Sequence, residues 1–89
     1  MKRTLHMTVI DPLGIHARPA STLAVAVKRS GAAMRIRHGD RTADATSVVQ
    51  LLGLGARMGS RVTVELDGDT AAADQAEAAL SELFAPRDA

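Results

Sequence analysis

Between residues 3 and 10 apolar side chains recur at every second position, with Leu5, Met7 and Val9 alternating against polar His6 and Thr8. The alternation predicts a half-buried strand closed by Asp11-Pro12. The period then lengthens. Ala20, Leu23, Ala24 and Val27 follow i, i+3, i+4, i+7, which predicts a helix with one buried stripe from Ala17 to about Arg29, stopped by Ser30-Gly31. Met34 and Ile36 alternate with Arg35 and Arg37. His38-Gly39-Asp40 then turns the chain into a short strand over Arg41 to Ala43, completing a hairpin.

A second, short helix is predicted from Ser47, whose hydroxyl can cap the free amides while Gln50 reaches back in a capping box; Gly53 and Gly55 end it. Val62, Val64 and Leu66 mark a last alternating strand. Gly68-Asp69-Thr70 leads into a third helix, expected to run to about Phe84 with Ala76, Ala79, Leu80 and Leu83 on its inner face. The order is β-α-β-β-α-β-α. Strands with one apolar face need helices on that side only, so the expected fold is α+β: an open-faced sandwich of a four-stranded antiparallel sheet with three helices on one face. With 89 residues and no linker, repeat or low-complexity tract, residues 1–89 read as a single domain with one core.

Composition narrows the chemistry. The absence of cysteine excludes a disulfide framework, a thiol nucleophile and cysteine-ligated metals, and fits a reducing compartment. The opening MKRTLHMTVIDP reads as a first strand rather than a signal peptide, and no segment approaches the roughly 20 apolar residues needed to span a bilayer. A cytoplasmic monomer with no membrane insertion is expected. Net charge is only +1, but residues 1–61 carry ten Lys/Arg against Asp11, Asp40 and Asp44, a balance of +7, and the remainder balances to −6. Such a basic region can steer an acidic partner. Nucleic acid is not expected, because Phe84 is the one aromatic residue and the basic residues are scattered.

The candidate chemistry lies in Gly14-Ile15-His16-Ala17-Arg18-Pro19-Ala20. Proline is tolerated in a helix's first turn, where its missing N–H costs nothing, so the helix begins near His16 or Ala17. The orphan backbone amides of Ala17 and Arg18, the helix dipole and the Arg18 guanidinium then form an anion site suited to phosphate. Neutral imidazole is a nucleophile that takes and releases a phosphoryl group readily. His6, His16 and His38 fall in separate elements, so no metal site and no cofactor is expected. The Gly53-Leu54-Gly55 run lacks the Lys-Ser/Thr ending of a nucleotide-binding loop and reads as a turn.

The chain resembles the HPr family, the histidine-containing phosphocarriers of the bacterial phosphoenolpyruvate-dependent sugar phosphotransferase system. The resemblance rests on GIHARPA, on the segment Asp44-Ala45-Thr46-Ser47-Val48-Val49-Gln50-Leu51-Leu52-Gly53-Leu54-Gly55, and on the interval between them. It implies that His16 is the phosphorylated histidine, through its δ1 nitrogen, and that Arg18 stands beside the phosphoryl group. It also implies that the first two helices dock successively on enzyme I and on sugar-specific IIA domains, with Val48, Val49 and Leu52 as apolar contacts of the second. The protein would be a phosphoryl carrier for sugar uptake and not an enzyme with its own turnover.

Ser47 aligns with the family's regulatory serine, the target of HPr kinase/phosphorylase. Family members phosphorylated there commonly have lysine just before the serine and glycine three residues after it, where this chain has Thr46 and Gln50. Thr46 is an adjacent alternative acceptor. The competing expectations are a regulatory paralogue that signals phosphate or carbon status by docking, and a purely structural interaction module.

Overall fold

The computed structural model describes residues 1–87. Its elements run β1 (Lys2–Val9), α1 (Ala17–Ser30), β2 (Ala33–His38), β3 (Arg41–Asp44), α2 (Val48–Leu52), β4 (Arg61–Asp67), α3 (Thr70–Ala78) and, after a 3-10 turn at Ala79–Glu82, β5 (Phe84–Pro86). The strands form one antiparallel sheet in the order β3-β2-β4-β1-β5. The fold is therefore the expected open-faced α+β sandwich with three helices, but its sheet has five strands where the pattern predicts four. Among the described residues no helix is long and apolar enough to cross a membrane.

Register explains the layering. Ile36 on β2 lies opposite Val64 on β4 and Ala43 on β3, while Leu5 on β1 lies opposite Val64 from the other side. Ile36, Ala43 and Val64 are fully buried with Val9, Met34, Val62 and Leu66 on the same face. The helices cover that face. The Ala20, Leu23, Ala24 and Val27 stripe of α1 is buried as predicted, together with Pro19. The opposite face is polar, pairing Arg35 with Glu65 and Asp44 across neighbouring strands, and stays open to water as antiparallel sheets allow. Gly39 takes the positive φ of 62° that the two-residue β2–β3 turn requires.

The C-terminal segment departs from its predicted course. The helix ends at Ala78, and Phe84–Pro86 pairs instead with the free edge of β1, Phe84 opposite Val9 and Pro86 opposite Met7. Leu80 and Leu83 are buried, as the helical reading requires, and so is Phe84. Periodicity alone therefore could not separate the two courses. The free edge of β1 decides it, and Pro86 fits there, since it disfavours helix at Ala85 and an edge strand tolerates a residue with no N–H. The Ile10 N–H closes the junction by donating to the Leu83 carbonyl at 2.8 Å. Arg3 on β1 pairs with Asp74 at 2.8 Å and Glu77 at 2.9 Å, tying the strand to α3.

The capping of α2 is half as expected. Ser47 Oγ accepts from the Gln50 N–H at 3.2 Å, but the Gln50 side chain accepts from the Asp44 N–H at 2.9 Å, not from Ser47. The Ser47 N–H donates to the Asp44 carbonyl at 3.0 Å. Gln50 thus serves a donor of the edge strand β3, a group that would otherwise face solvent unpaired.

Two long connections meet at the end of β1. Gly59 N–H donates to the Val9 carbonyl at 2.8 Å, Val9 N–H to the Ser60 carbonyl at 2.9 Å, and Ile15 N–H to the Ala56 carbonyl at 3.4 Å. The loop before β4 is thereby laid against the turn before α1. Gly14 sits in the contact at φ 71°, where a Cβ would stand 2.8 Å from the Ala56 oxygen and 3.1 Å from Arg57 Cα. Gly31 has a similar φ of 80° with open space around it.

Gly14→Ala should therefore cost about 2 kcal/mol or more, a fall in Tm of roughly 10 °C, whereas Gly31→Ala should cost about 1 kcal/mol. Thermal unfolding of the two variants measures the difference. Phe84→Ala should lose about 3–5 kcal/mol in urea unfolding, because it empties a fully buried aromatic site beneath β1. A solvent-exposed helical terminus at Phe84 would instead give a change below about 0.5 kcal/mol.

Candidate functional site

His16 is the N-cap of α1. Its backbone is extended (φ −129°, ψ 171°), its carbonyl accepts the first helical bond from Ala20 N–H at 3.0 Å, and its side chain makes no capping bond. The ring is therefore not consumed by the helix it precedes. Pro19 stands at the third helical position, inside the first turn as predicted. Among the described residues the N–H groups of Ala17 and Arg18 have no acceptor. They are orphan donors at the positive end of a 14-residue helix.

The Arg18 side chain is exposed and forms no ion pair among the described residues. Arg57 is likewise exposed and unpaired there, and its backbone abuts Gly14. Two uncommitted guanidinium groups thus belong to the segments that frame His16. Guanidinium geometry matches phosphate oxygens, so Arg18, in the first turn of α1, is a cationic donor within the same turn as the orphan amides.

Asp11 completes the group. Its Oδ2 lies 2.9 Å from His16 Nε2, and its Oδ1 accepts from the Leu13 N–H at 2.9 Å. The Gly14 N–H donates to the Asp11 carbonyl at 2.9 Å, making the segment a tight turn that aims the carboxylate at the ring. The hydrogen bond from His16, followed by that from the Leu13 amide, holds the Asp11 carboxyl below its ordinary range. The side chains of His16 and Asp11 are only 34% and 21% exposed, enough to admit a reacting group from one side.

The structure divides the other predicted residues. Val49 and Leu52 are exposed, at 81% and 42%, while Leu51 and Leu54 are buried. Val48, expected outside with Val49 and Leu52, is half-buried and packs against the core, because a helix of five residues turns its first position back toward the sheet. Leu13 and Met58, in the two connections that meet at the site, are exposed apolar residues at 75% and 61%. Ser47 is half-buried and its hydroxyl caps α2. The Thr46 hydroxyl donates to Asp44 Oδ1 at 2.7 Å. His38 lies elsewhere, its Nδ1–H donating to the Leu54 carbonyl at 2.8 Å, and Arg41 donates to the Gly53 carbonyl at 3.0 Å; together they hold the end of α2 on the hairpin.

Sequence reasoning missed Asp11 and Arg57. Asp11 reads as the residue that closes β1, and its only available signal was an Asx turn five residues before the histidine. Nothing local marks Arg57, whose backbone meets Gly14 across more than forty positions of sequence.

Comparison with known proteins agrees with this geometry. The family described as "PTS HPr component phosphorylation site" matches residues 4–85. The phosphocarrier protein HPr of Lysinibacillus sphaericus is 40% identical over 82 residues, covering 92% of this chain and 91% of that protein. A multiphosphoryl transfer protein of Xanthomonas campestris is 44% identical over 66 residues, which are 74% of this chain and 8% of that much longer protein. The crystal structure of HPr from Bacillus anthracis superposes with a TM-score of 0.81 at 25% identity, covering 92% of this chain and 96% of that one. A histidine at an open helix N-terminus, in a chain matched along almost its whole length, makes this protein a member of the HPr family, a phosphocarrier of the phosphotransferase system rather than a catalytic enzyme.

Proposed function

We propose that the protein accepts a phosphoryl group on His16 from enzyme I, with phosphoenolpyruvate as the ultimate donor, and passes it to sugar-specific IIA domains during sugar uptake in the cytoplasm. The observation that carries this reading is the meeting, at one helix end, of a His16 ring that makes no capping bond with two amides and an Arg18 cation that have no partner among the described residues. The ring attacks phosphorus. The Ala17 and Arg18 amides and the guanidinium receive the phosphoryl oxygens, and no proton need move to stabilise them. Because the donors are already in place, the phosphoryl group arrives without reorganising the helix.

A carrier must also let go of each partner. Exposed Val49 and Leu52 on α2, with half-buried Val48 beside them, supply a small apolar contact on a chain whose residues 1–61 carry a net charge of +7. A patch of this kind suits fast, steered and short-lived docking of a monomer on acidic partners. The fusion of a similar segment into a multiphosphoryl transfer protein supports a role in protein-to-protein phosphoryl relay. Ser47 is the proposed regulatory position, acted on by an HPr kinase/phosphorylase, since a phosphate there would add negative charge to α2 next to its docking residues.

Incubation with phosphoenolpyruvate and enzyme I should add one phosphoryl group to the intact mass, lost in acid and absent in His16→Ala. An unchanged mass for the wild-type protein would overturn the reading. Arg18→Ala should slow acceptance roughly 10- to 100-fold, the worth of one charge-assisted hydrogen bond. Ser47→Asp keeps a good N-cap, so α2 should remain folded while transfer from enzyme I slows several-fold. Equal rates for Ser47→Asp and the wild type would remove the regulatory role.

A further inference from the structure

We infer that Asp11 is the positioning residue that decides which imidazole nitrogen of His16 takes the phosphoryl group. The inference rests on phosphoryl acceptance at His16 and adds a selector to it. An ionised carboxylate can only accept hydrogen bonds, so the 2.9 Å contact from Asp11 Oδ2 requires a proton on His16 Nε2. In the neutral ring the lone pair then resides on Nδ1. Among the described residues Nδ1 has no hydrogen-bond partner, which leaves it free to react.

The carboxylate itself has little freedom. Leu13 N–H holds Oδ1 at 2.9 Å, and Gly14 N–H holds the Asp11 carbonyl at 2.9 Å, so Oδ2 is the oxygen left for the ring. These bonds and the one from His16 keep the carboxyl ionised at neutral pH. Asp11 also shields Nε2 from becoming the acceptor, by occupying its lone-pair direction and by repelling an incoming phosphoryl anion.

The transfer balances around this pair. The Nδ1 lone pair forms the P–N bond as the donor's bond to phosphorus breaks and its electron pair departs with the donor. The proton stays on Nε2. The phosphorylated ring then carries a formal positive charge, which the adjacent carboxylate offsets. In the donating half-reaction the P–N electron pair returns to Nδ1 and the ring leaves as neutral imidazole, with no proton exchanged with water.

The test uses phosphoramidate, a small phosphoryl donor that needs no protein partner, with 31P and 15N NMR identifying the nitrogen that carries phosphorus. The wild type should be phosphorylated on Nδ1 alone. Asp11→Ala frees Nε2 and should give product on both nitrogens. Asp11→Asn is the sharper variant: its side-chain oxygen can keep the Leu13 bond while its NH2 faces Nε2 and demands a lone pair there. The ring proton is thereby driven to Nδ1, and Nδ1 phosphorylation should fall at least tenfold with the thermal unfolding profile unchanged. Product on Nε2 in the wild type would overturn the assignment. So would product on Nδ1 alone at the wild-type rate in Asp11→Ala, or an unchanged Nδ1 rate in Asp11→Asn. Phosphorylation of the wild type by phosphoramidate but not by enzyme I would defeat the proposed donor and leave the role of Asp11 standing.

Discussion

The site depends on a backbone contact between two segments far apart in the chain, the turn before His16 and the loop after α2. Ile15 N–H reaches the Ala56 carbonyl, and Gly14 allows the approach because any Cβ there would overlap the Ala56 oxygen. With that contact made, the direction in which α1 starts is settled, and with it the direction of the orphan amides of Ala17 and Arg18. The same loop is bonded to Val9, so β1 and the helix mouth share one support. A functional residue on a loop is thereby held by rigid elements on both sides.

Charge around His16 is arranged asymmetrically. The Ala17 and Arg18 amides, without acceptors among the described residues, lie at the helix end that follows the ring, while the Asp11 carboxylate holds Nε2. A wholly cationic pocket would attract free phosphate from solution as readily as a phosphoryl group presented by a partner. Under the proposed function a carboxylate beside the imidazole would temper that attraction and would suit a ring that bears positive charge once a P–N bond exists.

Much of the architecture was legible in the sequence because each element carries its own signal. The α1 stripe, the β2–β3 hairpin and the alternation in β4 each arise from burial on a single face, which fixes their period. The Ser47 cap was legible because its hydroxyl is satisfied within three residues, by the Gln50 N–H. The end of α3 was not, because Leu80 and Leu83 are buried in either course and the unpaired edge of β1 belongs to a strand more than seventy residues earlier. Gln50 likewise had two possible donors at hand, and only the position of the β3 edge selects Asp44 over Ser47.

By itself the sequence determined that a histidine, an arginine and a proline open a helix, and that this opening suits a phosphate. Those consequences follow from backbone chemistry within one turn. Only the tertiary structure decided that Asp11 reaches Nε2, that Arg57 borders the same turn, and that Val49 and Leu52 face outward while Val48 leans on the core. Such matters depend on contacts between segments whose spacing carries no periodic signal, because tertiary packing selects among local alternatives of nearly equal energy.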